Sequence, residues 1–182
     1  IFVIDIDLDQ DLDLATASIA DHTVAWYEND GFQEFTKHQI TNSALSTSSV
    51  HAIDLDQDGD IDILADSAEN DSITWYENDD KESFVSQDIT KTADRAYDVF
   101  PIDLDSDGDI DVLSASSYDH KIAWYENDGN QNFVSHIITT QAVRASSVSA
   151  ADLDNDGDID VVSSSMGDSA VNWYENTSIT VD

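Results

Sequence analysis

Trp26-Tyr27-Glu28-Asn29 recurs as Trp75-Tyr76-Glu77-Asn78, Trp124-Tyr125-Glu126-Asn127 and Trp173-Tyr174-Glu175-Asn176. The four tryptophans are all there are in the chain, and they stand 49 residues apart each time. Phe35, Phe84 and Phe133 keep the same period, as do Ile40, Ile89 and Ile138. A fixed period of this length marks a repeat architecture and takes precedence over any local reading. Counted from residue 1, one repeat domain spans 1–182, with units at 1–49, 50–98, 99–147 and 148–182. The last unit lacks its final 14 positions, and only Ile179-Thr180-Val181 follows where the others carry a longer run.

Within a unit the pattern is that of strands. Val50 to Leu55, Ile61 to Leu64, Ile73 to Tyr76 and Phe84 to Ile89 are short apolar-rich or alternating runs. Asn, Asp, Ser and Gly fill the connections, and no period of 3.6 is sustained, so no substantial helix is expected. Four strands per unit predict an all-β, β-propeller-type array of about four blades of four antiparallel strands, with the last blade incomplete. A solenoid of stacked sheets is the weaker alternative. Adjacent bulky residues such as Trp75 and Tyr76 must point to opposite faces, which suits a blade packed on both sides. The repeated aromatics are therefore expected in the core between blades.

Composition narrows the function. Lys and Arg number 6 against 40 Asp and Glu, for a formal charge of −34. A polyanion repels nucleic acid and anionic membrane surfaces, so both are set aside as partners. Hydrophobic residues make up 40%, enough to build a core, so this is no disordered acidic tail. Without Cys there is neither a disulfide framework nor a thiolate site. No apolar run approaches the length of a membrane span. Ile1-Phe2-Val3-Ile4 offers neither an initiator Met nor a signal peptide, and reads as a piece of a longer or processed protein.

Most of the acids are Asp, and their placement is periodic. Unit two carries Asp54, Asp56, Asp58, Gly59, Asp60 and Asp62. Unit three carries Asp103, Asp105, Asp107, Gly108, Asp109 and Asp111, and unit four Asp152, Asp154, Asp156, Gly157, Asp158 and Asp160. Unit one has Asp5, Asp7, Asp9, Asp11 and Asp13, but Gln10 at the glycine position. Five carboxylates in nine residues repel one another unless a cation sits among them. Ca²⁺, which takes six to eight oxygens in flexible geometry, suits such a loop better than Mg²⁺ or Zn²⁺. The start matches an EF-hand loop, D-x-D-x-D-G, but position 12 is Thr16, Ala65, Ser114 or Ser163 instead of Glu. The ninth position is then the candidate closing carboxylate. The seventh, by analogy, would ligate through its carbonyl.

The motif D-x-D-x-D-G-D-x-D between two strands resembles the calcium loop of FG-GAP repeats, also called VCBS-type repeats. These occur in the propeller of integrin alpha chains and in many secreted bacterial and algal proteins. The resemblance covers essentially the whole chain. It implies that the loop joins the first two strands of a blade. It also implies that Ca²⁺ is held at the first, third, fifth, seventh and ninth positions, with three clean sites and a degenerate one at 5–13. Members serve in adhesion, glycan recognition and, less often, catalysis. The resemblance therefore implies a secreted or cell-surface location.

Where the units differ, specificity is expected. In a meander of four strands the second connection and the inter-blade link lie opposite the Asp loops. That face gathers Arg95, Tyr97, Tyr118, His120, Lys121 and Arg144 as candidate ligand-binding residues. The chain has only two Arg, both at one repeat position where unit one has Ser46. Glu28, Glu77, Glu126 and Glu175 are expected to satisfy local backbone or loop groups. His38 and His136, repeat equivalents with Gln87 between them, are expected at an outer edge or interface. No nucleophile–His–acid order, phosphate loop or HExxH element appears.

The expected role is a non-catalytic calcium-binding module for adhesion, matrix or glycan contact, with an extracellular protein or glycan as partner. A polysaccharide-degrading enzyme's accessory or catalytic propeller, the latter using Tyr97, Tyr118, His120 and Arg95, is the first alternative. A structural spacer or filament unit is the second. The end units would leave apolar faces in water, so self-association or further blades of a longer chain are expected.

Overall fold

A computed structural model describes residues 1–79 and 83–177. The run at 179–181 lies outside the described residues. Strands β1(Phe2–Ile4), β2(Asp13–Ser18), β3(Thr23–Asn29) and β4(Phe35–Thr41) pair in chain order as one antiparallel sheet. The second sheet is β5(Val50–Ile53), β6(Asp62–Ser67), β7(Ser72–Asn78) and β8(Phe84–Thr90). The third is β9(Ala96–Ile102), β10(Asp111–Ser116), β11(Lys121–Asn127) and β12(Phe133–Thr139). The fourth has three described strands, β13(Ala145–Ala151), β14(Asp160–Ser165) and β15(Ala170–Tyr174). No helix occurs among the described residues. The described residues form an all-β array of propeller-like blades.

The first three blades repeat an irregularity too. The third and fourth strands shift register between Val24 and Ala25, Ile73 and Thr74, and Ile122 and Ala123. These are bulges at one repeat position, and such bulges sharpen the twist of a strand pair.

The core lies between blades. Trp26 packs with Val50, Ile63 and Tyr76 of the next sheet. Trp75 packs with Val99, Val112 and Tyr125, and Trp124 lies against a cluster that includes Val148 and Val161, with Tyr174 beside it. Successive side chains on a strand project to opposite faces. Trp26, Trp75 and Trp124 therefore face the following blade, and Tyr76, Tyr125 and Tyr174 the preceding one, on the opposite faces that the sequence predicts. Phe84 and Phe133 also pack on the first two interfaces. At the third, Leu104, Trp124, Ile138, Val161 and Tyr174 line a cavity of about 220 Å³.

First strands neighbour one another along the array, β1 beside β5, β5 beside β9 and β9 beside β13. Phe2, His51 and Phe100 hold one repeat position on them and meet in sequence, with ring centroids 5.0 Å and 5.6 Å apart. Burial holds the His51 imidazole below its usual pKa, so it stays neutral in this ladder. Asp98 ties the same strands. It accepts Ser49 Oγ at 2.8 Å, Ser147 Oγ at 2.7 Å and the Val148 amide at 3.0 Å. Buried Asp66 fixes the link between the first two blades, taking the Ser48 and Ser49 amides at 2.7 Å each.

Candidate functional site

All four acidic loops connect the first and second strands of a blade, at 5–12, 54–61, 103–110 and 152–159. Their path is set by left-handed residues. The fourth position, Leu8, Gln57, Ser106 or Asn155, has φ of 62°, 61°, 63° or 63°. The sixth has φ of 105°, 101° and 103° at Gly59, Gly108 and Gly157. Nothing lies within 4 Å of where a Cβ would stand on these three glycines, so the backbone angle alone explains the residue. Gln10 adopts φ 82° at the same position. Its amide donates to Asp5 Oδ2 at 2.9 Å, as the glycines donate to Asp54 and Asp103 at 3.1 Å and to Asp152 at 3.3 Å. The first loop thus keeps the path of the others, and the strain falls on Gln10.

These turns converge carboxylates. Oxygens of Asp5, Asp7 and Asp13 lie within 4.8 Å of one another, as do those of Asp54, Asp56 and Asp58. Asp103, Asp105 and Asp111 form the third such group, and Asp152, Asp154 and Asp156 the fourth. Each cluster could hold a metal ion. The seventh residues, Asp11, Asp60, Asp109 and Asp158, belong to none of these groups. Asp11 and Asp109 instead lie against Gly31 and Gly129 in the third connection, where a Cβ would collide with the carboxylate.

The ninth aspartate ties the acidic loop to the end of the third strand. Asp62 takes the Leu55 amide at 3.0 Å on one oxygen and the Asn78 amide at 2.8 Å on the other. Asp13, Asp111 and Asp160 repeat both contacts. The last residue of each Trp-Tyr-Glu-Asn motif is therefore locked to the acidic loop. The Asn78 side-chain amide adds a bond to the Ile61 carbonyl at 3.2 Å. Sequence reasoning missed this role, although the 49-residue period of Asn29, Asn78, Asn127 and Asn176 was its signal.

Burial, and after it charge crowding, disfavours ionisation in these loops. Burial raises Asp7, Asp56 and Asp105 above the usual carboxylate range, and neighbouring Asp charges add to it. Burial pushes Asp62 up to about 7 and Asp111 up to about 6, against the pull of their amide bonds. Asp160 makes the same two amide bonds, and these, that from Asn176 foremost, hold it below the usual range.

The donor set fits a hard cation by one direct test. Asp54 Oδ1 and Asp103 Oδ1 are buried with no hydrogen-bond partner. Leaving a buried carboxylate oxygen unpaired is costly, and a cation among these oxygens would satisfy it.

The opposite face is built differently. Strand β10 runs from its acidic loop to the turn at Tyr118, so the two features lie at opposite ends of the blade. The Arg95 guanidinium sits 4.9 Å from the Tyr118 ring centroid, a cation–π pair at the surface. Tyr118 is 61% exposed and Tyr97 39%. Lys121 is buried, and its ammonium reaches the Thr92 carbonyl at 2.6 Å and Asp119 at 2.8 Å. His120 is a turn residue whose Nδ1 lies 3.1 Å from the Arg144 amide. Asp71 and His22 take the amides of Arg95 and Ser46 in the same way. Ser46, Arg95 and Arg144 all have positive φ, at 59°, 53° and 55°. The shared feature of that repeat position is this turn, and the Arg side chains are additions to it. The structure brings Arg95 and Tyr118 together and leaves Lys121 and His120 in structural contacts.

Glu28 and Glu126 do not serve backbone or loop groups. They reach His38 and His136 on the outer strand at 2.7 Å and 2.6 Å, while Gln87 reaches Glu77. His38 and His136 in turn stack on Trp26 and Trp124, with centroids 4.5 Å and 4.6 Å apart.

Comparison with known proteins fits this geometry. The sequence model of a family described as FG-GAP-like repeat matches residues 5–65 and 103–163. No curated protein matches the chain. Among solved structures, an Agrocybe aegerita lectin, described for specific recognition of non-reducing terminal N-acetylglucosamine, aligns with a TM-score of 0.60 at 15% identity. The alignment covers 88% of this chain and 46% of the lectin, so the chain spans about half of that protein's length. At this identity the likeness is one of fold.

Proposed function

Since the chain belongs to the FG-GAP-like repeat family, we propose that it is a calcium-clamped, non-catalytic recognition module of a secreted or cell-surface protein, with a glycan as ligand. The observation that carries the calcium reading is the buried, unpartnered oxygen of Asp54 and of Asp103 within a convergent carboxylate cluster. The first, third, fifth and ninth side chains of each loop would share the ion, and bound Ca²⁺ would neutralise their mutual repulsion. The clamp would brace each blade, because the ninth aspartate also anchors the end of the third strand.

Glycan contact is assigned to the face opposite the acidic loops. Arg95 over exposed Tyr118, with Tyr97 nearby in sequence, offers an aromatic surface and a cation on an otherwise acidic molecule. The fold shared with a sugar-binding lectin supports the ligand class.

Calcium modules of the weak, extracellular type have dissociation constants of about 10⁻⁴–10⁻³ M. At about 10 mM Ca²⁺ each such site would stabilise the fold by about 1.4–2.7 kcal/mol. Thermal melts in calcium and in excess chelator test this, and coincident melting curves would reject the clamp. A glycan array in calcium, repeated with Tyr118→Ala and Arg95→Ala, tests the ligand. Loss of signal with an unchanged melting temperature is expected, and an array with no calcium-dependent signal would reject the glycan reading.

A further inference from the structure

Blades one and two enclose an open-sided cavity of about 400 Å³, lined by none of the residues assigned to glycan contact above. It lies where β7 and β8 face the end of β4 and the link into blade two, toward the end of the blade opposite the acidic loops. Ser72, Thr74 and Tyr76 alternate along β7, so all three point to this one face, and Ser86 and Asp88 do the same on β8.

Hydroxyls dominate the lining. Burial pushes the Tyr76 phenol up to about 12, with the Asp88 charge adding to it, so it remains a neutral hydroxyl. Thr74 Oγ1 donates to Asp88 Oδ1 at 3.3 Å, and Lys91 Nζ holds Asp88 Oδ2 at 2.7 Å. The one acid and the one base of the lining are thus paired, in a chain whose formal charge is −34. Ser72 is only 4% exposed, and its hydroxyl makes no hydrogen bond among the described residues. A buried hydroxyl left unpaired is costly, and a ligand hydroxyl in the cavity would satisfy it.

The next interface shows why this space is open. Lys121 stands at the repeat position of Ser72, Asp119 at that of Asn70 and Thr92 at that of Ser43. There the Lys121 ammonium spans from the Thr92 carbonyl at 2.6 Å to Asp119 at 2.8 Å. Between blades one and two the Asn70 side-chain amide donates to the Ser43 carbonyl at 3.0 Å, and Ser72 is too short to cross the space. Asp88 and Lys91 also belong to this interface alone. Their counterparts are Ile137 and Thr140 in unit three, and Gln39 and Asn42 in unit one. The repeat does not require this pair, so the blade fold does not explain it.

We propose that the cavity binds one uncharged sugar residue, held by the Asp88 carboxylate, the Lys91 ammonium and the hydroxyls of Ser72 and Ser86. Its volume falls in the range of small-molecule sites, about 300–1,000 Å³. Hydroxyls both donate and accept, so this lining matches a polyol and not an apolar ligand. An anionic sugar would meet the field of a polyanion, with the one ammonium of the cavity already paired. The site rests on the glycan reading and adds to it a subsite separate from Arg95 and Tyr118.

Ligand-observed nuclear magnetic resonance on the full chain in calcium tests this, with methyl glycosides of glucose, galactose, mannose and N-acetylglucosamine as probes and glucuronate as the anionic control. At least one glycoside should bind with a dissociation constant on the order of 1–10 mM, as for ligands of this size, and glucuronate should not. Asn70→Asp combined with Ser72→Lys copies the plug of the third blade into the second. It should weaken binding by about 10-fold or more. Asp88→Ile, at an exposed position where the third blade already carries Ile, should do the same. Thermal melts check that each variant folds. Tyr118→Ala should bind the glycoside like the unmodified chain. Absence of binding by every glycoside would overturn the proposal, as would binding that survives the cavity substitutions. Equal binding of glucuronate would overturn the assignment of an uncharged ligand. Loss of binding in Tyr118→Ala alone would move the sugar to the Arg95 surface, so the cavity site would fall while the glycan reading stands. A silent glycan array beside cavity-dependent glycoside binding would reject the Arg95 surface and leave the cavity site in place.

Discussion

One side chain in four environments gives the sharpest test of the blade architecture. Trp26, Trp75, Trp124 and Trp173 share their repeat position, strand register and neighbours in sequence. They differ in what the following blade supplies. Trp75 is 1% exposed and packs on Val99, Val112 and Tyr125. A buried aromatic of this size removes about 150–250 Å² from water, which at about 25 cal/mol per Å² is about 4–6 kcal/mol before relaxation. Trp75→Ala should then cost about 3–5 kcal/mol. For a domain of this size that lowers the melting temperature by about 6–20 °C. Trp26→Ala should match it. Trp124→Ala should cost less, because Trp124 already borders the inter-blade cavity. Trp173→Ala should cost only about 1–2 kcal/mol, since half its surface is in water and no packed shell is left as a void. Urea unfolding in saturating calcium, followed by far-ultraviolet circular dichroism at low protein concentration, measures all four without relying on the indole signal. Equal costs for Trp173 and Trp75 would refute the reasoning, because the blade that buries Trp75 would then contribute nothing.

Two further outcomes follow from single residues. Gln10→Gly relieves a left-handed non-glycine residue, a strain of about 1–2 kcal/mol, partly offset by the greater freedom of glycine in the unfolded chain. Calcium titration should show one site tightening, and a titration identical to that of the parent would show that Gln10 imposes no penalty on the first loop. Burial pushes the Asp66 carboxyl up to about 6 despite its amide and hydroxyl bonds. An acid raised in the folded state holds its proton there and loses it more readily when unfolded, so stability falls as pH rises through this range. The Asp66 share of that fall should be about 3 kcal/mol between about pH 4 and pH 6, then level off. Comparing the pH dependence of Asp66→Asn with that of the parent in saturating calcium isolates it, and parallel curves would remove Asp66 as its source.

The acidic loops and the blade count were legible in the chain because both are periodic. A glycine or an aspartate that returns every 49 residues reports a backbone angle or a ligand position common to every unit. The left-handed glycines Gly59, Gly108 and Gly157 and the opposite facing of Trp and Tyr follow from such local rules. The period of the motif's final Asn was equally visible, but its purpose needed the fold. Asn78 meets Asp62 from a strand that lies beside the loop only after the sheet forms.

Features that occur once carry no such signal. Asp98 joins Ser49 and Ser147, and Asp66 seats the first inter-blade link, through contacts that only the packing of blades creates. Lys121 and His120 look like surface binding residues in sequence, since polar side chains in a turn are usually solvated. Tertiary packing turned them inward, Lys121 onto the Thr92 carbonyl and His120 onto the Arg144 amide. The sequence by itself determined what each blade is made of, because a blade is a local object with strands joined by short turns. Only the tertiary structure decided which identical side chains are core and which are surface. Trp75 and Trp173 are the same residue in the same motif, and what separates 1% from 51% exposure is whether another blade stands against the indole.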